Sequence, residues 1–426
     1  CPLVPEATDQ TGSRNHTLSD TRESEIVIIG GGAVGCGVAY QLALAGHTDV
    51  LVIEKEPTLA AATSSQAAGL VGQVRNSIER TELAMWSVRT FSELQEDERA
   101  PAGWRQVGSL RIALNQQRVE EFSRMADVAR QAGLEVEFIE PEAARKKWPL
   151  LDFRQVQAVL WCPSDGYLQP SDLTMAYASQ ARRLGVTFQT GTTVQQVIVK
   201  DGQVTGVETD KGRVECQQVV NAAGAHAYHL ASNVGLELPI VPVRHEYFVT
   251  IHAEGFHPAL PVVRIPDATL YLRAETGALL CGGWEPQSLS ADPRQFPLEA
   301  DPPSIEPDWD VLGEFASQLS PLFPQVNELG IRSVFKGWPT FTPDGRFIIG
   351  PSCQVEGFVM AGGCNAHGVS GSAGIGRHVV ESMFEEEPSE YVRSLSPDRF
   401  SEQPWDWESA CQEARHYYET YYHLDH

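Results

Sequence analysis

The apolar positions of this chain fall into short blocks whose spacing changes along its length. Four consecutive apolar residues, Ile26–Ile29, run into the glycines of "GGGAVGCG"; a helical stretch closes near Gly46, and a second apolar block from Val50 to Ile53 ends at Glu54. Unbroken apolar runs of this length suit strands covered on both faces, so strand, glycine turn, helix and strand predict a βαβ unit. From Val186 to Gly224 apolar and polar residues alternate, with turn signals at Asp201-Gly202 and Lys211-Gly212, which predicts a β-meander ending in Val219-Val220 and the small residues Asn221 to Gly224. Helical periodicity covers Arg118 to Gln131 and Ser171 to Arg183, and "PIVPVRHEYFVT", "TLYLRAE" and "GALLCGGWEP" read as strands of another sheet. Farther on, strands at 347–349 and 357–360 lead through a loop at 362–370 to a helix starting near Gly371. Interleaving of this kind makes the domains discontinuous.

The glycines carry the first chemistry. Gly30, Gly32 and Gly35 fit GxGxxG: the first permits the tight turn, the second admits a pyrophosphate to the backbone, and the third lets helix and strand pack closely. The helix start offers unpaired N–H groups to phosphate, and Glu54 stands where a carboxylate accepts hydrogen bonds from an adenosine ribose. A second helix N-terminus near Gly371 implies a cofactor long enough to reach both. A flavin dinucleotide fits, with its pyrophosphate at the first terminus and the charge of the reduced ring at the second. The run "TSSQAAGL" at 63–70 is too poor in branched residues for a buried strand, and its smallness predicts a loop lying along the cofactor.

Composition narrows the partners. In 426 residues, 32 basic and 56 acidic side chains leave a formal charge of −24, which repels nucleic acid and anionic lipid. Eight cysteines are scattered without a CxxC pair, so neither a disulfide framework nor a zinc cage is expected and a reducing compartment fits best. No apolar run is long enough to span a membrane, and the polar start, residues 1–24, reads as a flexible tail without a secretion signal. The sequon at Asn15 is taken as a chance match. The expected location is the cytoplasm, or the mitochondrial matrix for a eukaryotic source.

"IVIIGGGAVGCGVAYQLALAG", "VLVIEKE", "AAGLVGQVRNS", "GSLRIALNQQRVEEF", "DGYLQPSDLTMA", "GVETDKG", "VVNAAGAHA", "YLRAE" and "FTPDGRFIIGP" together resemble the FAD-dependent glycine/D-amino-acid oxidase superfamily. Within it they are similar to the sarcosine and dimethylglycine dehydrogenase branch, over residues from about 25 to 400. The resemblance implies an α/β fold: a Rossmann-like FAD domain of glutathione-reductase type (25–100, 165–240, 335–400) and a substrate domain with a mixed or antiparallel sheet (101–164, 241–334), followed by a C-terminal helical segment, 401–426. It implies oxidation of a C–N bond in a secondary or tertiary amine or N-methyl amino acid, with a hydride passing to flavin N5 and the imine hydrolysed to aldehyde and amine. An alternative is a non-catalytic FAD-binding protein like the regulatory subunit of pyruvate dehydrogenase phosphatase, similar at "GQVTGVETDKG"; another is an oxidase subunit of a hetero-oligomer.

The implied cofactor contacts are Gly30, Gly32, Ala33, Val34 and Gly35 at the first turn, Glu54 and Lys55 at the next strand end, and Thr63, Ser64, Ser65, Gln66, Ala67, Gly69 and Leu70 in the small-residue loop. Val194, Ala223, Gly224, Gly337, Gly363, His367, Gly368, Val369 and Ser370 complete the set. Gln66 stands where the dehydrogenases link a histidine to the flavin, and Gly337 where related oxidases link a cysteine, so non-covalent FAD is expected. Leu280 falls near a lysine that promotes reaction with oxygen in those oxidases, which favours electron transfer to a protein or quinone. Arg75 and Arg273 are rival carboxylate anchors, each alternatively an ordinary ion pair. His367 matches a flavin-side histidine and is the candidate proton acceptor, although Ser370 replaces a carboxylate-holding lysine nearby. His245 and Tyr247 share one strand face and are expected toward substrate unless that face is solvated. Trp284 roofs the flavin or fills the core. His423 and His426 have ligand-like spacing without further support, and the tyrosines at 417, 418, 421 and 422 form an amphipathic stripe that docks on the surface.

Overall fold

The computed structural model describes residues 22–401 and 404–424; residues 1–21, the Asn15 sequon and His426 lie outside the described residues. β1 (Ile26–Ile29), α1 (Ala33–Leu44) and β2 (Val50–Ile53) form the βαβ unit, and every residue of both strands is buried. Four more strands complete that sheet: β3 (Thr187–Gln189), β4 (Gln218–Asn221), β5 (Ile348–Pro351) and β6 (Phe358–Gly362). Their order is β3-β2-β1-β4-β6-β5, parallel except at the β5 edge. The alternating region therefore divides. Val194–Lys200, Gln203–Thr209 and Gly212–Glu215 pair as an antiparallel meander, while β3 before them and β4 after them join the parallel sheet.

Helix α1 is built of small and apolar residues and is buried nearly all round, which needs helices on more than one side. It lies against α3 (Pro170–Arg183) and α4 (Ser372–Phe384), and α4 also meets α2 (Ile78–Gln95). Close crossings of α4 require glycine: against α1, a Cβ on Gly37 would sit 2.9 Å from the Ser372 carbonyl oxygen, and against α2, one on Gly374 would sit 2.5 Å from that of Leu83. Ser87 Oγ accepts from the Gly374 N–H at 3.0 Å, and Ser372 Oγ pairs with the Tyr177 hydroxyl at 2.9 Å. These contacts fix the start of α4 and the loop before it.

The remaining large sheet has eight strands in the order Ile331–Gly337, His245–Thr250, Leu279–Gly283, Leu270–Ala274, Val262–Ile265, Ser109–Ala113, Ala158–Cys162 and Glu137–Ile139. Strand alternation sends Phe248, Leu270, Leu272 and Cys281 toward the helix Trp309–Leu319. Tyr247, Val249, Tyr271 and Leu280 pack instead with Ala68 and Leu70 of the small-residue loop. The C-terminal helix α5 (Trp407–Glu419) and the turn after it do more than dock on the surface: Ala414 and Tyr418 of the helix and Tyr422 of the turn are buried with Val241, Val243, Trp284 and Phe341. Among the described residues no helix is long and apolar enough to cross a membrane.

Candidate functional site

One cavity is lined by residues that follow β1, β2, β4 and β6, including Gly30, Glu54, Ala222 and Cys364, and by His245, Tyr271 and Gly337 of the eight-stranded sheet. It opens at the carboxyl ends of the parallel strands, where open α/β sheets bind ligands. Gly30 has φ +113°, and a Cβ there would sit 2.5 Å from the Ala222 carbonyl oxygen. Gly35 supplies the packing expected of the third glycine: its Cβ would be 1.9 Å from the Gly30 carbonyl oxygen. Glu54 accepts the Gly31 N–H at 2.6 Å and the Glu56 N–H at 2.8 Å; burial raises its carboxyl above the usual range, and these two donors partly offset that. Gly32 has no side chain to cap α1, so Ser64 Oγ accepts the Ala33 N–H at 3.0 Å from the small-residue loop.

Elsewhere on the wall lies a histidine among arginines. His367 Nδ1 is 2.7 Å from the Asn365 carbonyl oxygen, which only accepts, so Nδ1 carries the proton and Nε2 is the acceptor. Burial, then Arg75, Arg80 and Arg264, hold this imidazole well below its ordinary pKa, hence neutral. Arg75 and Arg264 line the same cavity. Arg75 donates to the Val74 carbonyl at 3.1 Å, and burial with neighbouring arginines brings its guanidinium down to about 10, against an opposing pull from Tyr421. Arg264 donates to the Tyr422 hydroxyl at 3.3 Å. Trp284 stacks on Tyr421 with ring centres 3.9 Å apart and planes at 16°.

Most expected cofactor contacts lie on this wall, and so do His367, His245, Arg75 and Trp284. Five of the expected residues do not. Ser65 turns its hydroxyl to the Ala62 carbonyl at 2.8 Å. Gly35 and Gly363 serve the backbone, the latter at φ +58° with Thr342 where a Cβ would be. Tyr247 lies behind the wall, stacked on Phe335 and donating to the Ala67 carbonyl at 3.3 Å, because alternation points it at the loop. Arg273 is no carboxylate anchor: its guanidinium donates to the Ala68 carbonyl at 2.7 Å and pairs with Glu275 at 2.6 Å. His245 lines the cavity, yet both ring nitrogens are engaged, Nδ1 with Tyr418 at 3.0 Å and Nε2 with Tyr271 at 2.7 Å, and burial lowers it to about 4. Leu280 is buried behind the wall in the Tyr247 cluster, and His423 is exposed.

Sequence reasoning missed Arg264, Tyr271 and Tyr421, as well as Leu298, Asp301 and Pro302, all on the wall. Arg264 left a readable trace, a charge inside the apolar strand "VVRI". Asp301 left none; its 2.6 Å ion pair with Lys55 joins positions far apart in the chain.

A family model described as FAD dependent oxidoreductase matches residues 25–382. The chain belongs to this family. Three relatives have close to the same identity. They are "4-methylaminobutanoate oxidase (formaldehyde-forming)" of Paenarthrobacter nicotinovorans (31%, covering 88% of this chain and 45% of the relative), the mitochondrial pyruvate dehydrogenase phosphatase regulatory subunit of Mus musculus (31%, 90% and 44%) and mitochondrial dimethylglycine dehydrogenase of Homo sapiens (32%, 88% and 44%). The chain thus spans less than half the length of these relatives. Among solved structures, L-proline dehydrogenase from P. horikoshii superposes with a TM-score of 0.80 at 26% identity, covering 90% of this chain and 99% of that one.

The residues present fit the family's FAD. Gly30 and Gly32 line the cavity at the start of α1, where any side chain would press on Ala222 or Ser64, and the half-buried Glu54 lines it just after β2. Gly30, Gly32, Ala33, Glu54, Ser64 and Val194 would hold the dinucleotide, while Gln66, Gly337 and the 368–370 turn would hold the ring system.

Proposed function

We propose that this chain oxidises the C–N bond of a small anionic secondary or tertiary amine, of the N-methyl amino-acid class, with FAD held non-covalently. FAD, when bound, supplies a two-electron acceptor for the C–H bond beside the amine nitrogen. The observation that carries the reading is the pairing of two cavity-lining guanidiniums, Arg75 and Arg264, with a neutral His367 on the wall of the dinucleotide cavity. Guanidiniums bind a carboxylate through paired N–H donors. The same positive field opposes an ammonium, so the substrate's ammonium gives up its proton on entering the site and reacts as the uncharged amine, the form that gives up electrons. His367 Nε2 is the chain's acceptor for the departing amine proton. Trp284 and Tyr271 wall off the site and exclude water.

Gln66 and Gly337 support non-covalent attachment: they are neighbours on the wall, a Gly337 Cβ lying 3.2 Å from that of Gln66, and neither makes a flavin bond. The reading of a protein or quinone electron acceptor rests on the sequence match at Leu280, a residue that lies behind the cavity wall. Seven unpaired cysteines among the described residues support a reducing compartment, cytoplasm or matrix.

The test is anaerobic addition of sarcosine, dimethylglycine, 4-methylaminobutanoate and proline to the FAD-loaded protein. Flavin absorbance should bleach with at least one of them, and roughly a hundredfold more slowly with the matching amine that lacks a carboxylate. A flavin that no amine reduces sinks the reading and leaves the regulatory alternative. Rapid reoxidation on admitting oxygen would overturn the acceptor assignment.

A further inference from the structure

The C-terminal segment reaches the reaction site through Tyr421. Its hydroxyl lies 3.0 Å from His367 Nε2. Nδ1 is committed as donor to the Asn365 carbonyl, so Nε2 has only a lone pair and the Tyr421 O–H donates. Burial raises the phenol above its ordinary range, which keeps that proton in place.

Both partners are held from outside the pair. Asn365, fully buried at φ +46°, accepts the Thr342 N–H at 3.0 Å and donates to the Gly363 carbonyl at 2.7 Å, which fixes the carbonyl that selects the His367 tautomer. Tyr421 lies flat on Trp284. Its neighbours are tied down as well: Arg118 donates to the Tyr422 carbonyl at 2.7 Å, and Glu419 accepts from the Ser288 N–H at 2.8 Å. The charged and titratable groups facing His367 are Arg75, Arg80, Arg264 and Tyr421; those facing Tyr421 are His367, Arg75, Arg80, Arg111, Arg264, Tyr417 and Tyr422.

We propose that Tyr421 is a positioning residue for the amine oxidation, orienting His367 and covering its Nε2 lone pair with a hydroxyl that must yield before the ring takes the amine proton. The inference rests on the reaction proposed above. A donor on Nε2 stabilises the neutral ring over the imidazolium, so removing it makes His367 more basic.

The experiment is Tyr421→Phe, which keeps the ring on Trp284 and removes the hydroxyl. Two readouts are taken on FAD-loaded protein. In ¹⁵N-histidine NMR, with His367 assigned through His367→Gln, the wild type should show the Nδ1–H tautomer with a hydrogen-bonded Nε2, and the variant should lose that bond and titrate at higher pH. In anaerobic flavin reduction by the best substrate, the acid limb of the pH profile should move to higher pH and the saturating rate should fall about tenfold, with substrate affinity changed less. An unshifted His367 resonance, or an unchanged pH profile, overturns the proposal. If the variant does not fold, the wild-type spectrum still decides: an Nε2–H tautomer or a non-bonded Nε2 refutes the contact. If no amine reduces the wild-type flavin, the reaction fails, while the NMR result still judges Tyr421's hold on His367.

Discussion

Arg273 and Arg264 show how little a residue's type settles by itself. Both are arginines in apolar strands of one sheet, yet Arg273 gives its guanidinium to a loop carbonyl and Glu275, while Arg264 lines the cavity. A single buried acid illustrates the same dependence on surroundings. Glu246, 1% exposed, has one carboxyl oxygen without a partner, while its neighbour Arg244 pairs with Glu285 at 2.5 Å and Asp308 at 3.0 Å. Burial pushes the Glu246 carboxyl up to about 7. Its folded pKa thus exceeds the unfolded one, so the folded state binds more protons between them, and the stability this contributes is present below about 4.5 and lost as pH rises through about 7. Glu246→Gln should therefore remove part of the fall in stability between pH 5 and 8, leaving the variant about 2 kcal/mol more stable than wild type at pH 8. Denaturant unfolding at both pH values measures it, and an equal fall in the two proteins refutes it.

At the scale of elements, the βαβ unit was legible because its determinants are local: an apolar run, three glycines at fixed spacing and a second run. The structure adds which contacts enforce them. Gly35→Ala puts a methyl into the Gly30 carbonyl and should cost about 3 kcal/mol and weaken FAD binding. Gly46→Ala meets nothing within 4 Å and should cost only the strain of its φ of +96°, about 1–2 kcal/mol, with FAD retained. Thermal unfolding and FAD fluorescence compare the two; equal losses would show that close packing is not what the third glycine provides. The meander was legible as strands but not as sheets, since alternation reports which residues point together and is silent on which strand pairs with which. The tyrosine stripe at 417–422, of which only Tyr417 and Tyr418 fall within α5, was read as a docking face for the same reason: a helical period marks an apolar face without naming what it covers.

At the scale of the molecule, two sheets, a small-residue loop and the C-terminal segment close on one cavity, and cofactor attachment is decided there. Gln66 and Gly337 come from distant stretches and meet on its wall, both without a nucleophile. Acid precipitation of the FAD-loaded protein should leave the flavin in the supernatant. Flavin in the pellet would point to Cys364 or to one of the wall histidines His226, His245 and His367.

The family, the cofactor class and the βαβ turn were already determined by the sequence, because each depends on residues a few positions apart whose steric and hydrogen-bonding demands are met locally. The pairs that complete the site span the chain, from Lys55 to Asp301 and from His367 to Tyr421. Only the tertiary structure decided these. A hydrogen bond or ion pair needs its atoms within about 3 Å, and packing of remote elements, not spacing along the chain, brings them there.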